Sequence, residues 1–196
     1  MQKLILASAS HARAVMLTAA GVEFEAKPAP IDERAVEAPL IAKGRKPATL
    51  ALALAEAKAL AVSKREPQAL VIGADQTLEF GERHWTKPTT IDAAREQLLT
   101  LAGGTHRLHA GAAVARDGKI LWRHVETARL AMRALSGAEV DDYLHRVGEA
   151  GLSSVGAYQI EGLGVRLFDK IDGDFFAILG LPLLPLLKFL REQGAI

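Results

Sequence analysis

The sequence contains no cysteine, so disulfide bridges, thiolate nucleophiles and cysteine-ligated zinc are excluded. Long apolar runs are also missing: the most apolar stretch, LGLPLLPLLKFL, has about half of the ~20 residues that span a bilayer. The apolar run near the start is too short for a signal peptide. A net charge of +1 argues against a nucleic-acid polymer as partner. We therefore expect a cytoplasmic protein that binds neither membranes nor nucleic-acid polymers.

What is present is the pattern of an α/β protein. The chain of 196 residues is long enough for one domain or for two small lobes. Strand-like and helix-like stretches alternate, which predicts a mixed sheet. The predicted strands cover 3–7, 22–26, 69–73, 106–116, 120–134, 165–171 and 175–179, and the predicted helices cover 13–20, 49–64, 91–101, 136–147 and a last helix from Pro182.

Turn and cap residues predict several boundaries. Asp117-Gly118 stands between two strand-like stretches and predicts a β-hairpin. Ser136 and Glu139 have the spacing of a helix capping box, and Thr49 is predicted to cap the long helix rich in alanine and leucine. Four prolines within 27–47 predict a long loop, and such loops in compact domains are usually functional or mobile.

Anion-binding residues follow the first predicted strand. Ser8 and Ser10 supply hydroxyl groups, and the helix that begins after them offers unpaired backbone N–H groups. Arg13 adds a fixed positive charge that suits phosphate oxygens. From the spacing alone, an ordinary helix cap explains these residues equally well.

Two buried elements are predicted to carry charged side chains. Asp75 follows an apolar strand, so its carboxylate should lie just past the strand's C-terminal end, where α/β sheets bind ligands; a simple turn aspartate is the alternative. Lys58 shares a helix face with Leu54 and Ala61. Its ammonium either extends to solvent, the commoner case, or enters a cleft to meet an anion.

Weaker candidates lie in loops. The pair Asp32-Glu33 could hold a hard cation such as Mg²⁺, although most such pairs are merely solvated. Lys87 precedes a proline and by itself resembles an ordinary exposed lysine. His106 and His109 fall on opposite faces of a predicted strand, so no shared metal ion is expected.

Taken in order, these segments resemble the Maf-like nucleotide pyrophosphatases over essentially the whole chain. The motifs that carry the resemblance are LILASAS, PAPIDE, LAEAKA, VIGAD, TKP, VGAYQIEGLG and GDFFAILGLPL. The resemblance implies a metal-dependent enzyme that hydrolyses a nucleoside triphosphate to the monophosphate and pyrophosphate, and so clears unwanted nucleotides. It also implies a homodimer that needs Mg²⁺ or Mn²⁺.

The resemblance further implies one Maf-like domain over residues 1–196, elongated, with a curved mixed sheet and two lobes around a nucleotide cleft. By position, Asp75 would be the catalytic base for the attacking water and, together with Glu33, a metal ligand. The implied substrate-binding residues are Ser8, Arg13, Glu33, Lys58 and Lys87. Their cations would neutralise charge that develops on the phosphoryl group.

Three positions bear on which nucleobase the substrate carries. Gln76 and Glu161 resemble the branch of the family that prefers 7-methyl-GTP over dTTP or UTP, whereas that branch has a tryptophan where Ala12 stands. Stacking on a cationic methylated base would favour an aromatic residue there. The first turn, Ser10-His11-Ala12-Arg13, also lacks the proline and one arginine of the common Ser-Pro-Arg-Arg. The prediction is therefore against dTTP and UTP and leaves the base open.

Two alternatives remain at this stage. The chain could be an inosine or xanthosine triphosphate pyrophosphatase of the same fold, or a nucleotide-binding regulator of cell division with little catalysis. Asp75 argues against the regulator, because a protein that only binds nucleotide has no need of a carboxylate at the water position.

Overall fold

The computed structural model describes residues 2–196, and within them it has six strands and seven α-helices. The strands are β1 Leu4–Leu6, β2 Glu25–Ala26, β3 Leu70–Glu79, β4 Thr105–Arg116, β5 Lys119–Met132 and β6 Phe168–Asp172. The helices are α1 His11–Ala19, α2 Glu33–Ala42, α3 Pro47–Ser63, α4 Ile91–Leu101, α5 Gly137–Val147, α6 Phe175–Ile178 and α7 Leu183–Glu192, with 3₁₀ helices at Gly148–Ser153 and Leu163–Leu167. None of the helices in this range is long and apolar enough to cross a membrane.

The strands form one mixed sheet in the order β2-β1-β3-β4-β5-β6. Strand β1 is parallel to both β2 and β3, whereas β5 and β6 are antiparallel. The pairing of β1 with β3 ends at Ile72, although β3 continues to Glu79. The predicted α/β class with a mixed sheet is confirmed.

The chain forms two compact units. One contains the residues up to Gln76 together with His109–Glu126 and Asp174–Ile196; the other contains Thr77–Leu108 and Thr127–Gly173. In the first unit, apolar side chains of β1, α1, β3 and α7 form the largest part of the core, among them Leu6, Leu17, Ile72 and Leu186.

Helix α3 packs directly on the sheet of the first unit because glycine faces it. A Cβ atom on Gly73 would lie 2.1 Å from the carbonyl oxygen of Ala55 and 2.6 Å from the nitrogen of Ala59. A Cβ atom on Gly111 of β4 would lie 2.6 Å from the carbonyl oxygen of Ala51. This close packing holds the helix turn that carries Lys58 against β3.

The predictions from local chemistry are confirmed where turn and cap residues act alone. Asp117 and Gly118 both have positive φ angles, of 50° and 72°, and join β4 to β5 as the hairpin turn requires. Ser136 and Glu139 form the predicted capping box of α5. Helix α4 spans the predicted residues 91–101.

The predicted loop over 27–47 is wrong, because it contains helix α2. Asp32 caps this helix, its Oδ1 accepting a hydrogen bond from the nitrogen of Ala35 at 3.2 Å, and Pro39 lies inside the helix. Pro47 occupies the first turn of α3, where a missing N–H costs nothing, so the prediction that Thr49 caps α3 is also wrong.

The predicted strand over 175–179 is wrong as well. Asp174 accepts a hydrogen bond from the nitrogen of Ala177 at 2.8 Å and caps the single turn of α6 instead. The run of apolar residues there is short, and short apolar runs do not distinguish a strand from a buried helical turn.

Candidate active site

Lys58 is the centre of a charged cluster in the first unit. Its Nζ lies 2.5 Å from Oδ1 of Asp75 and 2.7 Å from Oε1 of Glu33. Only 10% of its side chain is exposed, so the ammonium does not extend to solvent as the commoner alternative required. One cation therefore joins two carboxylates, one from β3 and one from the first turn of α2.

The two carboxylates differ in exposure. The side chain of Asp75 is 14% exposed, and that of Glu33 is 54% exposed. The prediction that Asp75 lies past the end of its strand is wrong, because β3 continues to Glu79. Asp75 nevertheless comes three residues after Ile72, where the parallel pairing with β1 ends, so it lies beyond the carboxyl end of that parallel pair.

Arg13 is buried and holds three chain segments together. Its Nε donates to the carbonyl oxygen of Gly180 at 2.7 Å, and its Nη1 donates to Ser8 Oγ at 3.0 Å and to the carbonyl oxygen of Ala74 at 2.8 Å. Burial lowers the pKa of the guanidinium, and the negative charges of Asp75 and Glu33 oppose that shift. The three hydrogen bonds therefore hold the guanidinium in place, and its charge interacts with those of the two carboxylates.

Ser8 and Ser10 have different structural roles. Ser10 caps α1, its Oγ accepting a hydrogen bond from the nitrogen of Arg13 at 3.5 Å, so the helix-cap interpretation is correct for this residue. Ser8 is buried, and its Oγ accepts hydrogen bonds from Arg13 Nη1 and from the nitrogen of Ser10. Ser8 thus contacts the guanidinium that follows it by five residues in the sequence.

The predicted specificity residues are spread over both units. Ala12 lies half-buried on the first turn of α1, next to Arg13. Gln76 follows Asp75, and its Nε2 donates to the carbonyl oxygens of Ala177 and Ile178 at 3.0 and 2.8 Å. Glu161 and Lys87 are exposed residues of the second unit, and their roles stay predictions.

The first unit thus brings most of the predicted residues together. Contacts between side chains join them in two groups, one of Glu33, Lys58 and Asp75, the other of Ser8 and Arg13. The Arg13–Ala74 bond links these groups, because Ala74 directly precedes Asp75. Sequence reasoning missed the acceptors Ala74 and Gly180, since no residue type identifies which backbone carbonyl a buried arginine will meet.

The donor set suits a hard divalent cation shared with a ligand. Over the described residues, no group of three or more histidine or acidic side chains is placed to hold a metal ion. Glu33 and Asp75 provide two carboxylates that meet at one ammonium, and Mg²⁺ is commonly held by one or two carboxylates with phosphate oxygens and water completing its shell. These oxygen ligands therefore fit Mg²⁺ or Mn²⁺ in the presence of a polyphosphate.

Comparison with known proteins identifies the family. The model of the Maf-like protein family matches residues 3–193. The chain belongs to the Maf-like family. The resemblance found in the sequence is thereby confirmed.

Individual members of the Maf-like family match the chain over almost its full length. A 7-methyl-GTP pyrophosphatase of Rhizobium etli is 56% identical over 99% of this chain and 98% of the relative. A 7-methyl-GTP pyrophosphatase of Mesorhizobium japonicum is 54% identical over 100% of the chain and 98% of the relative. A nucleoside triphosphate pyrophosphatase of Rhodopseudomonas palustris is 54% identical over 98% of this chain and 94% of the relative.

Proposed function

We propose that the chain is a nucleoside triphosphate pyrophosphatase that cleaves 7-methyl-GTP between its α and β phosphates, releasing pyrophosphate and the monophosphate. Membership of the Maf-like family and the names of relatives at 54–56% identity support this activity. The observation that carries the proposal for the site is the meeting of Glu33 and Asp75 at the ammonium of Lys58.

Asp75 is proposed as the general base. A base must lie within hydrogen-bond distance of the water that it deprotonates, and a carboxylate supplies acceptor oxygens for that purpose. Lys58 holds one oxygen of Asp75 and so orients the carboxylate. An ammonium has three N–H donors, and two of those on Lys58 point to carboxylates. The third suits a phosphoryl oxygen of the substrate.

We further propose a need for Mg²⁺ or Mn²⁺, held by Glu33 and Asp75. When bound, such an ion neutralises charge on the phosphoryl oxygens and polarises the phosphorus centre. The charges of the site support this need. The positive charges of Arg13 and Lys58 are balanced by the negative charges of Glu33 and Asp75. These four residues together therefore supply no net positive charge to neutralise a bound triphosphate.

The test is pyrophosphate release from a panel of 7-methyl-GTP, GTP, ITP, XTP, dTTP and UTP, with Mg²⁺, with Mn²⁺ and with EDTA. We expect the highest kcat/KM for 7-methyl-GTP and no release in EDTA. A preference for ITP or XTP would favour the inosine/xanthosine alternative. No release from any triphosphate would favour the nucleotide-binding regulator, and release in EDTA would contradict the proposed metal requirement.

The family resemblance also leads us to propose a homodimer in the cytoplasm. Light scattering on the purified chain measures its mass directly. A monomer of 21.0 kDa at micromolar concentration would contradict the dimer without bearing on the catalytic proposal.

A further inference from the structure

The short helix α6 is tied to the active-site residues of the first unit. Gln76, the neighbour of Asp75, donates from Nε2 to the carbonyl oxygens of Ala177 and Ile178. Just after α6, the carbonyl oxygen of Gly180 accepts a hydrogen bond from Arg13 Nε. Because α6 has four residues and so spans about 6 Å, its first residue, Phe175, lies within one helical turn of Ala177 and Ile178, the two residues that Gln76 holds.

The two phenylalanines that begin α6 have opposite environments. Phe176 packs against the core of the first unit. Phe175 is 51% exposed and meets the ring of Phe176 edge to face, with 6.2 Å between the ring centroids. Among the phenylalanine, tyrosine and tryptophan residues that the structure describes, Phe175 alone is exposed. An exposed ring on the helix that the neighbour of Asp75 holds is available to stack on a base.

The base of 7-methyl-GTP is suited to such a ring. Methylation at N7 gives the purine a delocalised positive charge, and cations bind favourably to aromatic faces. We propose that Phe175 stacks on the 7-methylguanine base and so discriminates it from guanine, and that Gln76 positions Phe175 by holding α6. This inference rests on the proposed function, because it takes 7-methyl-GTP as the substrate.

The direct test is the ratio of kcat/KM for 7-methyl-GTP to that for GTP. In Phe175→Leu, which keeps an apolar side chain but removes the ring, we expect this ratio to fall by roughly threefold to thirtyfold, the range of one cation–π contact. Phe175→Trp should keep or raise the ratio. Leu184→Ala is the matched control, since Leu184 is 59% exposed on α7 of the same unit and should leave the ratio unchanged.

The positioning role of Gln76 is tested with a double variant of Gln76 and Phe175. Gln76→Met removes the two donated hydrogen bonds and should lower the same ratio. If Gln76 acts through Phe175, adding Gln76→Met to Phe175→Leu should lower the ratio no further, because the two residues act on one contact. Independent, additive losses in the double variant would contradict the positioning role of Gln76.

A binding measurement separates this inference from the proposed function. Calorimetry with 7-methylguanosine monophosphate needs no turnover, so it applies even if no triphosphate is hydrolysed. We expect weaker binding to Phe175→Leu than to the wild type and unchanged binding to Leu184→Ala. Equal affinity in wild type and Phe175→Leu, absence of binding to the wild type, or equal loss of activity towards GTP and 7-methyl-GTP would each overturn the stacking role.

Discussion

At the scale of single residues, the site depends on one buried ammonium with two acidic neighbours. Lys58 is buried, and a buried charge without a partner is costly. A variant that removes the carboxylate of Glu33 or Asp75 therefore also leaves Lys58 with one partner fewer. Variants that keep the shape of the side chain are the informative ones, because they alter charge with little change in packing.

Asp75→Asn is expected to separate binding from turnover. The amide keeps the shape of the carboxylate but cannot accept a proton from water, so kcat should fall by roughly a hundredfold to ten-thousandfold. The dissociation constant for the nucleotide should change much less, since Arg13 and Lys58 remain. Rapid-quench turnover and calorimetry measure the two quantities. Unchanged turnover would remove Asp75 from its role as base. Asp169→Asn, at an exposed position of β6, is the control.

Glu33→Gln and Asp32→Asn form a matched pair, because the residues are neighbours and each variant removes one negative charge. Glu33 contacts Lys58, whereas Asp32 caps α2, and asparagine caps a helix as well as aspartate does. Glu33→Gln should raise the Mg²⁺ concentration for half-maximal activity by roughly tenfold, the effect of losing one charged contact. Asp32→Asn should behave like the wild type. Equal responses would mean that Glu33 does not hold the metal.

At the scale of secondary-structure elements, three contacts determine where the charges lie. Helix α2 brings Glu33 to Lys58, the glycines of β3 and β4 let α3 approach the sheet, and Arg13 ties α1 to the end of the apolar part of β3. The contact of α3 with β3 is the tightest of the three, because backbone atoms of α3 occupy the space that a Cβ atom on Gly73 would need.

Gly73→Ala should therefore weaken both stability and activity. The new methyl group would displace α3, which costs typically 1–3 kcal/mol for overpacking, and would move Lys58 relative to Asp75. Urea denaturation measures the free energy of unfolding, and pyrophosphate release measures activity. Gly162→Ala is the control, since a Cβ there would lie 3.9 Å from its nearest neighbour, the carbonyl oxygen of Gln159, and should be tolerated. Equal stability of the two variants would show that α3 adjusts freely.

At the scale of the whole molecule, stability should depend on a buried histidine of the second unit. His106 is fully buried, its Nε2 hydrogen-bonds the hydroxyl of Tyr158 at 2.5 Å, and its ring also faces Phe168. Burial lowers the pKa of His106 to about 4. The folded chain therefore binds this proton less readily than the unfolded chain, whose histidine has the ordinary pKa of about 6.5.

Acid should therefore destabilise the folded chain at His106. The contribution of His106 to stability is complete above about pH 6.5 and is lost as the pH falls towards 4, with a total loss of about 3 kcal/mol. Tyr158→Phe and the double variant His106→Phe/Tyr158→Phe should be compared by urea denaturation between pH 7 and pH 4. The double variant should lose less stability over this range. Parallel curves would show that His106 does not titrate on unfolding.

Local chemistry in the sequence was enough to predict the class of fold and several boundaries. The hairpin at Asp117-Gly118, the capping box at Ser136 and helix 91–101 depend on neighbouring residues, whose preferences act without the rest of the chain. Helix α2 and α6 were missed, since proline and short apolar runs permit more than one local structure and packing selects between them.

By itself, the sequence determined the family, the mixed α/β sheet and the residue types that suit phosphate and metal, because motif order and side-chain chemistry are written along the chain. Only the tertiary structure decided that Lys58 bridges Glu33 and Asp75, that Arg13 donates to the carbonyls of Ala74 and Gly180, and that Gln76 holds α6. Such contacts join residues 17 to 167 positions apart, so they exist only once helices and strands have packed.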